Sequence, residues 1–188
     1  MNYSELVSKV SDWLHRSDLV GVIPTFIELT EEQLNRDLRV RAMEIALPAT
    51  PITDNRITLA DNVVDVKTLW IPGFESNPLT PQSFESVLAS GTEGLPTMYA
   101  HQGDDLYLNG GGSIQGVLYQ AIPALTATAT TNWLSTKAPS VYLWGALLNA
   151  TIYTKADPSV YLAKFNEALD GLKGNEQRLT GPLVARAR

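Results

Sequence analysis

The sequence predicts an α+β fold: a mostly α-helical core, built from two N-terminal and two C-terminal helices, with a β-strand insertion between them. Three observations carry this. Apolar residues recur at helical spacing from Tyr3 to Ile45, the period shortens to alternation near Arg56, and helical spacing returns near Pro139. The implied divisions are an N-terminal helix pair over 1–50, a β-rich insertion with one short helix over 51–130, a C-terminal helix pair over 131–180, and an extended arm over 181–188.

The first helix places Tyr3, Leu6, Val7, Val10, Trp13 and Leu14 at helical spacing, with Asn2 and Glu5 in capping-box relation. "SDLVGV" breaks it, and Pro24 suits the first turn of a second helix, where its missing N–H is harmless. Ile27, Leu34, Leu38 and Ile45 mark one face of that helix, Glu32→Arg36 and Asp37→Arg41 are acid-before-base pairs on the other, and Pro48 is expected to end it. "RITLADNVVDVKTLWI" reads as strands around an Asp61-Asn62 turn. "TPQSFESVLAS" reads as a small helix with Thr80 as cap and Pro81 first. "PTMYAHQGDDLYLNGGG" is a hairpin turning at Gly103-Asp104-Asp105, and "SIQGVLYQAI" is a further strand. Pro139 then starts a helix on which Val141, Gly145, Leu148 and Ile152 form one face and Tyr142, Trp144, Leu147 and Tyr153 cover much of the rest. A helix apolar all round is surrounded by protein. Asp157 and Pro158 open the last helix, with Tyr161, Phe165, Leu169 and Leu172 inward and Lys164, Glu167 and Asp170 outward.

The 188 residues suffice for one domain with a sizeable insertion, and the absence of cysteine removes disulfides and thiolate metal sites. "MNYSELVSKV" lacks the basic region and apolar run of a signal peptide, and no stretch approaches the ~18–20 apolar residues of a membrane span. A soluble protein made in the cytoplasm is expected. The net charge of −6 argues against a sequence-reading DNA binder, whose footprint is normally basic. Charged residues make up 18% of the chain, below the ~25% of typical domains, which hints that partners cover some surface.

A search for chemistry yields no catalytic, cofactor or metal set. His15 falls at a helix end and His101 in a hairpin strand, neither with an acid or nucleophile at motif spacing. "NGGGSIQGV" is no phosphate loop, because no Lys-Ser/Thr follows and a strand comes next. It is no nucleophile elbow either, because Gly116 falls one residue late. Asp104 and Asp105 lack further acids at calcium-loop spacing, Asp61 and Asp65 read as solvent-facing, and the glycosylation triplet at Asn149 lies in a buried-looking helix. Arg36, Arg39 and Arg41 form a modest basic cluster that suits either helix-face ion pairing or an acidic partner subunit.

The order of several segments resembles one known family. "YSELVSKVSDWLHRSDLVGVIPTFIELTEEQLNRDLRVRAME", "GLPTMYAHQGDDLYLNGG", "VLYQAIPALT" and "TNWLSTKAPSVYLWGALLNATIYTKADPSVYLAKFNEAL" are similar to blocks of the head-to-tail adaptors of tailed bacteriophages, with tail tubular protein A of short-tailed phages more distant. The match is weakest over Thr68 to Ser90. The resemblance implies a non-enzymatic virion protein at the head–tail junction, without cofactor, forming a ring of about twelve copies. The ring would join the portal protein to a downstream tail or nozzle protein and leave a channel through which DNA passes without sequence-specific binding. On this reading Arg36, Arg39, Arg41, Trp133 and Trp144 serve the subunit boundary. Leu183, Val184, Arg186 and Arg188 form a C-terminal arm on the portal. The acidic balance suits a conduit that must not hold DNA. The competing readings are a tail-associated hydrolase, which needs a paired acid and base, and a glycan-binding module using Trp70, Tyr99 and Tyr107 of the insertion.

Overall fold

A computed structural model describes the backbone of residues 1–180 and the side chains of residues 1–174. In chain order the elements are α1 (Tyr3–Leu14), α2 (Ile23–Asp37), β1 (Glu44–Pro51), β2 (Arg56–Thr58), β3 (Val63–Trp70) and β4 (Thr80–Pro81). There follow α3 (Phe84–Ala89), β5 (Met98–Gln102), β6 (Asp105–Leu108), β7 (Ser113–Gln120), α4 (Trp133–Lys137), α5 (Pro139–Tyr153) and α6 (Ser159–Thr180). They divide into two compact units, one continuous from Met43 to Ala121 and one made of Met1–Ala42 with the chain from Ile122 onward.

The helical unit is organised by α5, which packs against α1, α2, α4 and α6. That explains why it is apolar on every side: Val141, Tyr142, Ala146, Leu147 and Ala150 are all fully buried. At Gly145 both neighbouring helices press close, and a Cβ there would lie 2.3 Å from Thr30 Cγ2 of α2 and 3.0 Å from Phe165 Cε2 of α6. The local signals work as the physics of helix ends requires. Asn2 Oδ1 accepts the Glu5 N–H at 2.8 Å while Glu5 returns a carboxylate to the Asn2 N–H at 3.0 Å. Pro24 and Pro139 sit in the first turns of α2 and α5. Asp157 Oδ1 accepts the Ser159 N–H at 3.0 Å ahead of α6.

The strand unit holds two sheets, one of order β1-β7-β3 and one of order β2-β6-β5-β4. Ile57, Leu59, Leu69, Leu79, Tyr99, Leu106, Leu108, Ile114 and Leu118 form a core of its own. Gly116 of β7 lets β3 close in, since a Cβ there would meet Thr68 O at 2.3 Å.

The expected fold class needs correcting. The protein is α+β, but not a helical core carrying one strand insertion: the described residues contain six α-helices and seven strands in two sheets. The strands bury their own apolar cluster instead of decorating the helices. Three local expectations change with it. The helix expected to reach Pro48 stops at Asp37, where Leu38 turns extended, and residues 44–51 pair antiparallel with β7. Pro48 falls within the bulge between Leu47 and Thr50 on this edge strand, the place where a missing N–H is tolerated. The strands flanking Asp61-Asn62 do not pair with each other, because β2 joins β6 and β3 joins β7. Thr80 and Pro81 run parallel to β5, and Ser83 caps α3, its Oγ accepting the Ser86 N–H.

Candidate interaction surfaces

On the helical unit, α1, α5 and α6 bring aromatic rings together at the rim. The Trp13 ring meets that of Trp144 edge-on at 5.1 Å and 82°, and Trp144 lies 6.4 Å from Tyr161. Trp144 is half-buried, but Trp13 remains 51% exposed. Ile152 and Tyr153 at the end of α5, and Val160 and Leu162 at the start of α6, add exposed apolar surface. A shallow groove beside the rim is lined by Ser140, Trp144, Lys164, Glu167 and Ala168. A second, more apolar groove is lined by Tyr3, Val7, Val20, Pro24, Ala127 and Thr130. Trp133, the first residue of α4, is half-buried.

The three arginines sit at and just beyond the C-terminal end of α2. Arg39 donates from Nη1 to the carbonyls of Asn35 at 2.8 Å and Leu38 at 2.7 Å, closing the C-terminal end of α2. Arg36 is exposed and 3.4 Å from Asp37, its sequence neighbour, and Arg41 opens a 3-10 turn beyond the helix. Leu183, Val184, Arg186 and Arg188 lie outside the described residues.

A buried polar network, missed in the sequence, fixes the return of the chain into the helical unit. Glu31 Oε1 accepts the Tyr142 hydroxyl at 2.6 Å and the Leu125 N–H at 2.8 Å. Asn132 Nδ2 donates to Tyr142 Oη and to the Pro123 carbonyl, both at 2.6 Å, and Asn35 Oδ1 accepts the Ile122 N–H at 2.7 Å. Glu31 and Asn35, one turn apart on α2, thus hold two amides of the incoming segment. Burial raises the Glu31 carboxyl above its ordinary range, against the opposing pull of its Tyr142 and Leu125 hydrogen bonds. Burial, then the adjacent Glu31 charge, pushes the Tyr142 hydroxyl upward.

Neither histidine is hydrogen-bonded or ion-paired to a carboxylate among the described residues: His15 is an exposed cap of α1 and His101 an exposed residue of β5. Asp105 is committed across strands to Thr58 Oγ1 at 2.6 Å and Arg56 at 3.4 Å. Of the three rings that a glycan platform would need, Tyr99 is only 6% exposed, and Tyr107 stacks edge-on against Phe84 at 4.7 Å. A buried ring offers no face to a sugar. Among the described residues no helix is long and apolar enough to cross a membrane, and no three His, Asp or Glu side chains are grouped to hold a metal ion.

The described residues thus form two separately cored units, with aromatic rings gathered at the surface of the helical one. The chain belongs to the SU10 adaptor protein family, whose model matches residues 1–186. It is thus a structural adaptor protein of a phage, a virion component that associates with other virion components. No curated protein matches the chain significantly.

Proposed function

We propose that the protein is a head-to-tail adaptor whose copies form a ring of about twelve, joining the portal to the tail and leaving a channel for DNA. The observation that carries this reading is the family match across residues 1–186. The aromatic rim supports it: Trp144, with Trp133, contributes the subunit boundary, and Arg36, Arg39 and Arg41 flank it. Burial of such surface yields ~25 cal/mol per Å2, much of which association offsets. On this reading the free chain stays monomeric and assembles only on the portal. The arm carrying Leu183, Val184, Arg186 and Arg188 reaches the portal, and a downstream tail or nozzle protein takes the other side. The protein performs no catalysis and uses no cofactor, and DNA passes without sequence-specific contact.

Electron microscopy and native mass spectrometry of the protein mixed with its portal test this. A closed ring of adaptor copies on the portal is expected. A lone bound subunit, or a ratio incompatible with a ring, overturns the proposal.

A further inference from the structure

Charge is unevenly divided along the chain. Residues 43–121 hold nine acidic side chains against two basic ones, whereas the rest of the chain holds eleven against twelve. Both cations of the strand unit are already taken, Arg56 by Asp105 at 3.4 Å and Lys67 by Glu44 at 2.6 Å. Asp54, Asp61, Glu75, Glu85, Glu93 and Asp104 remain exposed, with neither cation of the unit left for them.

The same unit exposes three large apolar side chains, Phe74 and Leu95 at 55% and Leu88 at 59%. Each has a carboxylate close in sequence: Glu75 beside Phe74, Glu85 one helical turn before Leu88, and Glu93 two residues before Leu95. Two of these loops attach to the same end of β7. Glu75 Oε1 accepts from Gln115 Nε2 at 3.3 Å, and Leu95 Cδ2 would meet a Cβ at Gly112 at 3.5 Å. At ~3.3 Å per residue of strand, Gly112 and Gln115 stand only about 10 Å apart. Gly94 O, next to Leu95, also accepts the Gly111 N–H at 2.9 Å. The loops 71–78 and 90–97 therefore present apolar side chains with acidic neighbours at one end of the strand unit.

We infer that this end is a docking surface for a second virion protein that presents lysines and arginines around an apolar pocket. The carboxylates select the charge of the partner and accelerate its approach, and Phe74 and Leu95 supply the anchors that hold it. Polyanionic DNA is the poorer match, because phosphates are repelled by the carboxylates and gain nothing from an exposed phenylalanine. The inference rests on the adaptor reading and names the chemistry of one of its partners.

The test uses the full chain with purified portal and tail proteins of the same virion as probes. Binding is followed across a salt series, and carbodiimide coupling joins carboxylates to lysines in contact with them. Wild type should bind one of the two with an affinity that falls steeply with salt, and Glu75 or Glu93 should couple to that partner's lysines. Glu75→Lys with Glu93→Lys, and separately Phe74→Ser with Leu95→Ser, should each weaken that binding by roughly tenfold or more at low salt. Melting temperatures should change little, since all four side chains are exposed and Glu75 gives up only surface hydrogen bonds. If wild type joins the portal as a ring but the variants bind both proteins as wild type does, this inference fails and the adaptor reading stands. Failure of wild type to join either protein removes both. Coupling only to a second copy of the chain, or a sole effect of the lysine variants on DNA binding, overturns the docking assignment.

Discussion

Tyr142 of α5 donates its phenolic hydrogen to Glu31 Oε1 of α2 at 2.6 Å, and Glu31 in turn holds the Leu125 N–H. One carboxylate thus ties a helix and an incoming strap together. Glu31→Ala leaves the hydroxyl and a buried amide without their acceptor, and should destabilise the protein by about 2–3 kcal/mol. Tyr142→Phe removes only the hydroxyl and should cost about 1–2 kcal/mol. Chemical denaturation of both variants checks the order.

The Glu31 carboxyl is raised when folded, chiefly by burial. The folded state therefore binds more protons than the unfolded chain between the two Glu31 values, and this contribution to stability grows as pH falls. It is fully present below the unfolded value and lost as pH rises through the folded one. Glu31→Gln keeps the shape and the acceptor but cannot titrate. The stability of wild type relative to this variant should rise on acidification from pH 7 towards 4, read by melting temperature across buffers. A flat or opposite difference contradicts the raised value.

Gly145 has no room for a methyl group. The obstructing Thr30 cannot swing away freely, because its hydroxyl donates to Phe26 O at 2.7 Å and accepts from Asn149 Nδ2 at 3.1 Å. Gly145→Ala should destabilise by about 1–3 kcal/mol despite the better helix propensity of alanine. Unchanged stability would mean that α2 and α5 separate without strain.

Trp13 and Trp144 should show coupled but limited effects on folding. A double-mutant cycle to alanine should return about 0.5–1.5 kcal/mol of coupling, as expected of an edge-on pair. Trp144→Ala should lose ring assembly on the portal at protein concentrations where wild type assembles. Assembly equal to wild type would remove the rim from the subunit boundary.

A chain ending at Thr180 should retain its melting temperature and lose portal attachment. Arg186→Glu with Arg188→Glu should weaken attachment most at low salt, where charge is least screened. Attachment of the shortened chain with unchanged affinity removes the arm from the portal contact.

Helix ends were legible because their signals are local. Asn2 with Glu5, Pro24, Pro139 and Asp157 act within a turn of their own position. β1 was not legible, because "EIALPATP" continues the helical spacing of α2 and carries two prolines. Only its pairing with β7, some seventy residues on, makes it a strand. The two Asp-Asn pairs illustrate the same limit. Asp54 and Asn55 both take left-handed backbone (φ 52° and 55°) and close the Thr53–Arg56 turn, whereas Asp61-Asn62 leads from one sheet to the other. The sequence marks Trp144 for a subunit boundary but gives no sign of its ring partners, Trp13 on α1 and Tyr161 on α6. Nothing local marks Glu31, because its partners Leu125 and Tyr142 lie 94 and 111 residues further along the chain.

The helical unit is assembled from the two flanks of a continuous strand unit. During synthesis, the strand unit has all its pairing partners once residue 121 has emerged, whereas α1 and α2 have made their apolar faces but lack α5 to cover them. Leu6, Val10, Ile23, Phe26 and Ile27 must therefore wait in solvent through more than a hundred further residues of translation. Contacts of α1 and α2 with α5 span more of the chain than any strand pairing, and closure over such separations is intrinsically slow.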